Sequence, residues 1–296
     1  MILARAAYLG AQRNGTVFWS SDIISSWDML KRSIPAGLNF TASGMPYWDT
    51  DIAGFFSPTI YPTYHSAHKP LVNPSDARAT VNGYEDYPEL FVRWFEWGTF
   101  HPVMRVHGER EHNEVWSYGK QAEAILEEYL RLRYQLMPYT YSLAYGSYQT
   151  GAPFMRALFM DFSSDPEVAD IRDEYMFGPA FLVAPVVEQG ATSRRVYLPA
   201  GCDWYDYWTN KRLTGGQTIT ASAPIDIIPS SFEQVPLCRW ALPFKARRNH
   251  RPSLPCASIP GQMQTSRSFR TTEQPTRMRK VPARSRSFTG MRRQTN

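Results

Sequence analysis

Between Phe18 and Phe56 the chain reads FWSSDIISSWDMLKRSIPAGLNFTASGMPYWDTDIAGFF. This places Asp22, Asp49 and Asp51 close to Trp19 and Trp48. Carboxyl groups at strand ends can pass protons or stabilise a developing cation, and flat indole rings stack on the apolar faces of pyranose rings. A pair of carboxyls flanking a glycosidic bond is the machinery that cleaves it. Each residue also has a plainer role. Asp22 precedes a helical stripe, where an aspartate usually caps the helix. Arg5 interrupts an apolar run; it either ends the strand and reaches solvent, or sits at a pocket mouth, because an unpaired buried charge is costly. Arg105 and His107 are two residues apart and face one way if that segment is extended.

The elements that must position these groups follow a βα rhythm. Residues 2–9 (ILARAAYL) read as a short buried strand and residues 16–19 (TVFW) as a second. Ile23, Trp27, Leu30 and Ile34 then recur at helical spacing. Pro35-Ala36-Gly37 is expected to end that helix, and Leu38–Ser43 to form a strand continued by residues 44–48. Asp22 and Asp51 then fall just past strand ends, where parallel α/β barrels place their chemistry. Residues 57–88 form a long loop without periodicity. His65 and His68 lie in it three apart, but no HExxH or other ligand set accompanies them, so no metal site is expected. Residues 89–100 read as a helix, 101–108 as an irregular strand, and 121–149 as a helix that Pro138 kinks or splits.

After Thr150-Gly151 the rhythm changes to short β runs at 154–159, 180–185, 193–199, 204–208 and 217–221, the signature of an antiparallel sandwich. From about Ser230 the pattern collapses. Residues 244–296 carry 13 Lys/Arg and 1 acid, whereas the rest of the chain carries 19 basic and 26 acidic residues. The formal charge of +5 therefore reflects one tail on a mildly acidic body. With few aliphatic residues the tail is expected to be disordered. A basic tail suits nucleic acid, but Phe269 and Phe288 alone offer stacking after Phe244, so no nucleic-acid partner is expected. No apolar run reaches membrane-spanning length, so no membrane association is expected, and Arg5 breaks the only candidate leader. Cys202, Cys238 and Cys256 are odd in number and lack a repeated spacing, which argues against a disulfide framework or a zinc site.

With these residues laid out, the chain resembles glycoside hydrolase family 31, the retaining α-glucosidases and α-xylosidases. The resemblance runs from about Ile2 to Pro229. It is carried by ARAAYLGAQRNGTVFWSSD, GLNFTASGMPYWDTDIAGFF, FHPVMRVHG, LRYQLMPYTYSLA with TGAPFMRALFMDF, and FGPAFLVAPVVEQGATSRRVYLPAG with WYDYWTNK. It implies an α/β fold: the C-terminal part of a (β/α)8 TIM-type barrel over 1–150, an antiparallel β-sandwich over 151–232, and a basic disordered tail over 233–296. It implies that Asp22 is the general acid/base and that Arg5, Trp19, Asp51, Phe55, Arg105 and His107 line the subsite for the sugar being cleaved. Asp49 lies beside that pocket, where the family varies.

The resemblance further implies a retaining α-glycosidase acting on terminal α-linked xylose or glucose of an oligosaccharide or glycoside, with no cofactor. The PYW-x-TDI-x-GFF form favours α-xylosidase over α-glucosidase. In the family the nucleophile is an Asp on an earlier barrel strand, N-terminal to the arginine matched by Arg5. The chain begins four residues before Arg5. The nucleophile and the first half of the barrel are therefore expected to be absent, leaving a fragment of little activity. A non-catalytic carbohydrate-binding remnant is the alternative. The residues do not specify the compartment or the oligomeric state.

Overall fold

The structure is a computed structural model that describes residues 2–56, 87–110 and 112–233. His65, His68, most of the long loop and the tail after Glu233 lie outside the described residues.

Strands β1 (Ile2–Ala4), β2 (Thr16–Trp19) and β3 (Trp48–Asp49) form a parallel sheet in that order. Isolated parallel bridges continue the series from Ile24 to Phe56 and from Phe56 to Glu109, so the segment leading to Glu109 takes the place of a fourth stave. Parallel neighbours need crossovers, and helices supply them. Helix α1 (Trp27–Ala42) joins β2 to β3, α2 (Tyr87–Gly98) follows β3, and α3 (Lys120–Gln135) and α4 (Met137–Thr150) follow Glu109. This is an α/β architecture with a partial barrel. Pro138 splits the last helix as expected, one residue into α4.

Several local expectations fail for physical reasons. The strand at 2–9 extends only to Ala4 and is not buried: Ile2 is 58% and Leu3 42% exposed. An apolar run alone does not reveal whether both of its faces are covered. Helix α1 is capped by Ser26, whose Oγ accepts the Met29 N–H at 3.1 Å, and not by Asp22. It also runs through Pro35, so Leu38–Ser43 is its last turns and C-cap and not a strand. The buried stripe Leu30, Ile34, Leu38 and Thr41 keeps helical period across the proline. Burial of that stripe outweighs the one backbone bond that proline removes. Gly37 does not end the helix. A Cβ there would meet Trp48 Nε1 at 2.6 Å, so its bare backbone lets α1 lie against β3. Residues 101–108 form no regular strand.

Beyond Thr150 come β4 (Met155–Ala157), the short α5 (Leu158–Asp161), β5 (Tyr175–Phe177), β6 (Phe181–Val183) and β7 (Ser193–Leu198). These are followed by β8 (Asp203–Asp206), β9 (Arg212–Thr214), β10 (Gln217–Ser222) and β11 (Ser230–Glu233). An antiparallel sheet of order β4-β5-β6-β11-β8-β9 is accompanied by the pair β10-β7, which gives this region its β-sandwich character. Ser230 does not mark the end of the pattern. It opens β11, which pairs with both β6 and β8, and backbone bonding on both edges buries Ser230 and Ser231.

Period-two alternation sorts β5 and β6 between two cores. Tyr175, Phe177, Phe181 and Val183 pack with the helices, while Met176, Leu182 and Ala184 pack with Val196, Leu198 and Trp204. Helix α2 is nearly all buried and is tied to the later loops by Arg93. Its guanidinium donates to the carbonyls of Ala191, Ala223, Pro224 and Ile227 at 2.7–3.1 Å and pairs with Glu96 at 3.2 Å. Burial raises the Glu96 carboxyl to about 8 against the pull of Arg93.

Candidate active site

The buried Val17 and Phe18 of β2 fix the strand, and the chain leaves it through Trp19, Ser20 and Ser21. Ser21 has a φ of 67°, a left-handed conformation that is costly for a residue with a Cβ. This turn carries Asp22 to the neighbouring stave. Asp22 Oδ2 lies 2.9 Å from Arg5 Nη2, and Arg5 Nε donates to Ser21 Oγ at 2.8 Å. The Arg5 side chain is 61% exposed and that of Asp22 20%, so the carboxyl stands at the edge of solvent.

Strand β3 ends at Asp49, and Asp49 and the two residues after it, Thr50 and Asp51, are fully buried. Arg105 reaches both acids: its Nε donates to Asp49 Oδ2 at 2.9 Å and its Nη2 pairs with Asp51 Oδ1 at 2.5 Å. The same guanidinium lies 5.6 Å from the Trp19 ring centroid. Burial pushes the Asp49 carboxyl up to about 6, opposed by its bond to Arg105. Burial also raises Asp51. Arg105 and His107 oppose that rise and the charge of Asp22 reinforces it, so these groups share one field. The His107 ring packs against Phe55 with centroids 5.3 Å apart, and Phe55 meets Phe56 edge-on at 4.8 Å. Asp49 Oδ1, Asp51 Oδ2 and Trp19 Nε1 are buried without a hydrogen-bond partner among the described residues.

The structure thus gathers Arg5 with Asp22, and Asp51 with Arg105 and Trp19, at one end of the parallel staves, with His107 and Phe55 in mutual contact. The loop from Asp51 to Phe56 is held on both sides. Phe55 and Phe56 N–H groups donate to Ile23 O at 2.7 and 3.0 Å, and Glu109 N–H donates to Phe55 O at 2.8 Å. Gly54 (φ 80°) is needed here, since a Cβ would meet Ser25 Cα at 2.7 Å.

Sequence reasoning missed the groups that hold this loop. Arg110 donates to the Ile52 carbonyl at 2.7 Å and to that of Gly54, and lies over the Phe91 ring. Tyr87 donates to Ala53 O at 3.2 Å. Arg133 caps the carbonyls of Thr99, His101 and Pro102, just before Arg105. In sequence Arg110 belongs to the charged run GEREHNE, which reads as a solvated loop. The Gly108 preceding it was its one signal, because a Cβ there would meet Arg110 Nη1 at 2.7 Å. Ser20 and Thr50 hydroxyls, 3.2 Å apart, join the two strand exits. Among the described residues no group of three or more His, Cys, Asp or Glu could hold a metal ion, and no helix is long and apolar enough to cross a membrane.

Parallel staves crossed over by helices, with acids and arginines gathered just past the strand ends, define a protein of the (β/α)-barrel class. Residues 1–143 match the TIM-barrel domain of glycosyl hydrolases family 31, and residues 151–234 match the C-terminal domain of the same family. The chain belongs to glycosyl hydrolase family 31. An α-xylosidase of Saccharolobus solfataricus is 42% identical over 77% of this chain and 28% of its own length. Alpha-xylosidase A of Aspergillus niger is 35% identical over 77% of this chain and 32% of its own length. Alpha-glucosidase 2 of Bacillus thermoamyloliquefaciens is 35% identical over 79% and 26%. Among solved structures, the α-xylosidase of Xanthomonas citri superposes with a TM-score of 0.69 at 44% identity, covering 79% of this chain and 24% of that one. An α-xylosidase from a soil metagenome, complexed with xylose, gives 0.68 at 38% identity, covering 79% and 34%. The chain therefore spans about a quarter to a third of the length of these relatives.

Proposed function

We propose that this chain supplies the acid/base half of a retaining α-glycosidase that removes terminal α-linked xylose, in preference to glucose, from an oligosaccharide or glycoside. We assign residues 1–150 to the catalytic barrel, 151–232 to a β-sandwich domain and 233–296 to a basic tail. Asp22 is the general acid/base: it protonates the leaving oxygen and then deprotonates the attacking water. Arg5, Trp19, Asp51, Phe55, Arg105 and His107 hold the sugar, the charged groups through directional bonds to hydroxyls and the rings through stacking. The observation that carries this reading is the carboxyl of Asp22. It is partly open and oriented by Arg5 just past the end of a parallel strand, whereas Asp49 and Asp51 are wholly buried. Family membership supports the reaction class, and the α-xylosidases among the similar proteins support xylose.

One observation favours a second reading, a sugar-binding remnant without turnover. Retaining hydrolysis needs a nucleophilic carboxylate about 5–5.5 Å from the acid/base. The two carboxyls nearest in function, those of Asp49 and Asp51, are both occupied by Arg105. Hydrolysis of p-nitrophenyl α-xyloside and α-glucoside, measured for the chain and for Asp22→Asn, separates the readings. Release of p-nitrophenol that Asp22→Asn abolishes supports the enzyme. Binding without release in both proteins supports the remnant.

A further inference from the structure

Among the described residues, three other than glycine have a left-handed backbone: Ser21 (φ 67°), Ala53 (φ 65°) and Asn210 (φ 58°). Asparagine visits this conformation readily, because its short polar side chain bonds locally. Serine and alanine pay for it in strain, and both stand beside the candidate site: Ser21 precedes Asp22, and Ala53 follows Asp51 by two residues. Residues strained in this way cluster at active sites, where the surrounding contacts hold them in place.

The fold itself holds Ala53. It is fully buried, Tyr87 donates to its carbonyl at 3.2 Å, and Arg110 donates to the carbonyls on either side, those of Ile52 and Gly54. Ser21 is partly exposed and lacks such a clamp. Among the described residues its backbone is bonded only by its neighbour, the Ser20 hydroxyl, which donates to the Ser21 carbonyl at 3.2 Å. The β3 side of the turn is secured one residue earlier, where Ser20 N–H donates to Asp49 O at 3.1 Å and the Ser20 hydroxyl lies 3.2 Å from that of Thr50. The side chain of Ser21 instead turns to the β1 side, where its Oγ accepts from Arg5 Nε at 2.8 Å.

The left-handed turn explains how that contact arises. Along an extended chain successive side chains point to opposite faces. Ser21 and Asp22 are successive, yet both bring an oxygen to one guanidinium, Ser21 Oγ to Nε and Asp22 Oδ2 to Nη2. Donors fixed in one planar fork transmit their orientation to each other, so two oxygens on Nε and Nη2 set the plane of a side chain that is otherwise 61% exposed. A glycine at position 21 would take the turn without strain but would offer no oxygen. We infer that Ser21 is a positioning residue: its strained backbone places its hydroxyl on Arg5 Nε, which holds the guanidinium beside Asp22 and leaves Nη1 for a hydroxyl of the bound sugar. This inference rests on the roles given to Arg5 and Asp22 under Proposed function.

The test compares Ser21→Gly, Ser21→Ala and Ser21→Thr in the full chain. Each is followed by thermal melt, by the hydrogen-exchange rate of Arg5 Nε–H in NMR, and by titration with xylose. Ser21→Gly should raise the melting temperature by about 1–4 °C, the released strain less the freedom glycine gains when unfolded. Ser21→Ala keeps the strain and should leave the melting temperature nearly unchanged, since the lost bond is exposed. Both should speed exchange at Arg5 Nε–H and weaken xylose binding roughly threefold to tenfold, the worth of one hydrogen bond. Ser21→Thr keeps the hydroxyl: it should preserve slow exchange and binding while lowering the melting temperature, because a β-branched residue is disfavoured at positive φ. Stability and affinity then change in opposite directions, which a purely structural serine would not produce. Unchanged Arg5 exchange in Ser21→Gly overturns the inference, as does a Ser21→Gly protein of lower stability or a Ser21→Thr protein that exchanges as fast as Ser21→Ala. Xylose is read separately. If the unaltered chain binds none while Arg5 exchange follows the expected order, the positioning of Arg5 stands and its sugar-holding role fails; if xylose binds equally to all four proteins, the inference fails.

Discussion

Arg5 and Asp22 meet at 2.9 Å across two adjacent parallel strands, and the same arginine holds the hydroxyl of Ser21. The register that pairs Ala4 with Phe18 makes this contact possible, because it leaves both residues just beyond their strand ends. With most of the arginine in solvent, the pair contributes about 0–1 kcal/mol to stability. Arg5→Ala should therefore leave the melting temperature nearly unchanged. It should weaken α-xyloside binding roughly tenfold or more, the worth of a lost hydrogen bond to a charged group. Calorimetric titration beside a thermal melt measures both, and a large drop in melting temperature with intact binding would contradict the assignment.

Arg105 sits in the opposite regime. Removing it leaves two fully buried carboxyls without their cation. Arg105→Ala should cost about 3–5 kcal/mol of folding stability, the usual penalty for orphaning a buried charge. Adding Asp49→Asn to that variant should recover part of the loss, since it removes one of the stranded charges. Urea denaturation of the single and double variants provides the comparison; equal stabilities would show that Asp49 and Arg105 are not coupled.

His101 sets an acid limit on the fold. It is fully buried against Trp97, with neither ring nitrogen hydrogen-bonded among the described residues. Burial lowers its pKa from 6.5 to about 3, with Arg133 adding to the effect. Between these values the unfolded chain binds more protons than the folded one, so this group's stabilising contribution falls as the pH drops through that window. Asp49, raised from 3.8 to about 6, acts in the opposite sense: it takes up a proton on folding, and its contribution falls as pH rises between those values. His101→Phe should thus flatten the acid side of the stability profile between pH 6 and 4 by up to about 1.4 kcal/mol per pH unit. Asp49→Asn should steepen it. Chemical denaturation across pH 4–7 reads both slopes.

Gly37 lies in mid-helix, where alanine would ordinarily stabilise by about 1 kcal/mol. Here Gly37→Ala should destabilise by about 1–3 kcal/mol, because the new methyl meets Trp48 Nε1 at 2.6 Å and overpacks the contact of α1 with β3. A stabilised Gly37→Ala protein, by thermal or urea melt, would show that α1 does not press on Trp48. The displaced strand also carries Asp49, so the substitution should disturb the Arg105 pairing.

The sheet–helix order and the division of the long helix at Pro138 were legible because they rest on near-neighbour chemistry. Apolar spacing reports local period, and proline removes a donor wherever it stands. The same reasoning failed at Pro35. There the stripe Leu30–Ile34–Leu38–Thr41 is buried against distant elements, and that burial outweighs a local breaking signal. It failed at Ser230 because β11 is defined by its neighbours β6 and β8 and not by its own polar side chains. At the site, the acids and the paired Arg105 and His107 stood out by type and spacing. Arg110 did not, since its bonds run to backbone carbonyls more than fifty residues away and leave no local pattern.

By itself the sequence determined the βα rhythm, the change to antiparallel strands after residue 150, and the clustering of Asp22, Asp49 and Asp51 near tryptophans. Those follow from residue type and short-range period. Tertiary structure alone decided which acids are open and which are held. Asp49 and Asp51 lie two residues apart and look alike in the chain. They share one arginine 56 residues from Asp49, which hydrogen-bonds Asp49 but only ion-pairs with Asp51 and leaves the Asp51 Oδ2 without a hydrogen-bond partner among the described residues, while Arg5 leaves Asp22 at the edge of solvent. Such a choice depends on which side chains meet after folding and on how deeply each carboxyl is desolvated, and neither property is carried by the local order of residues.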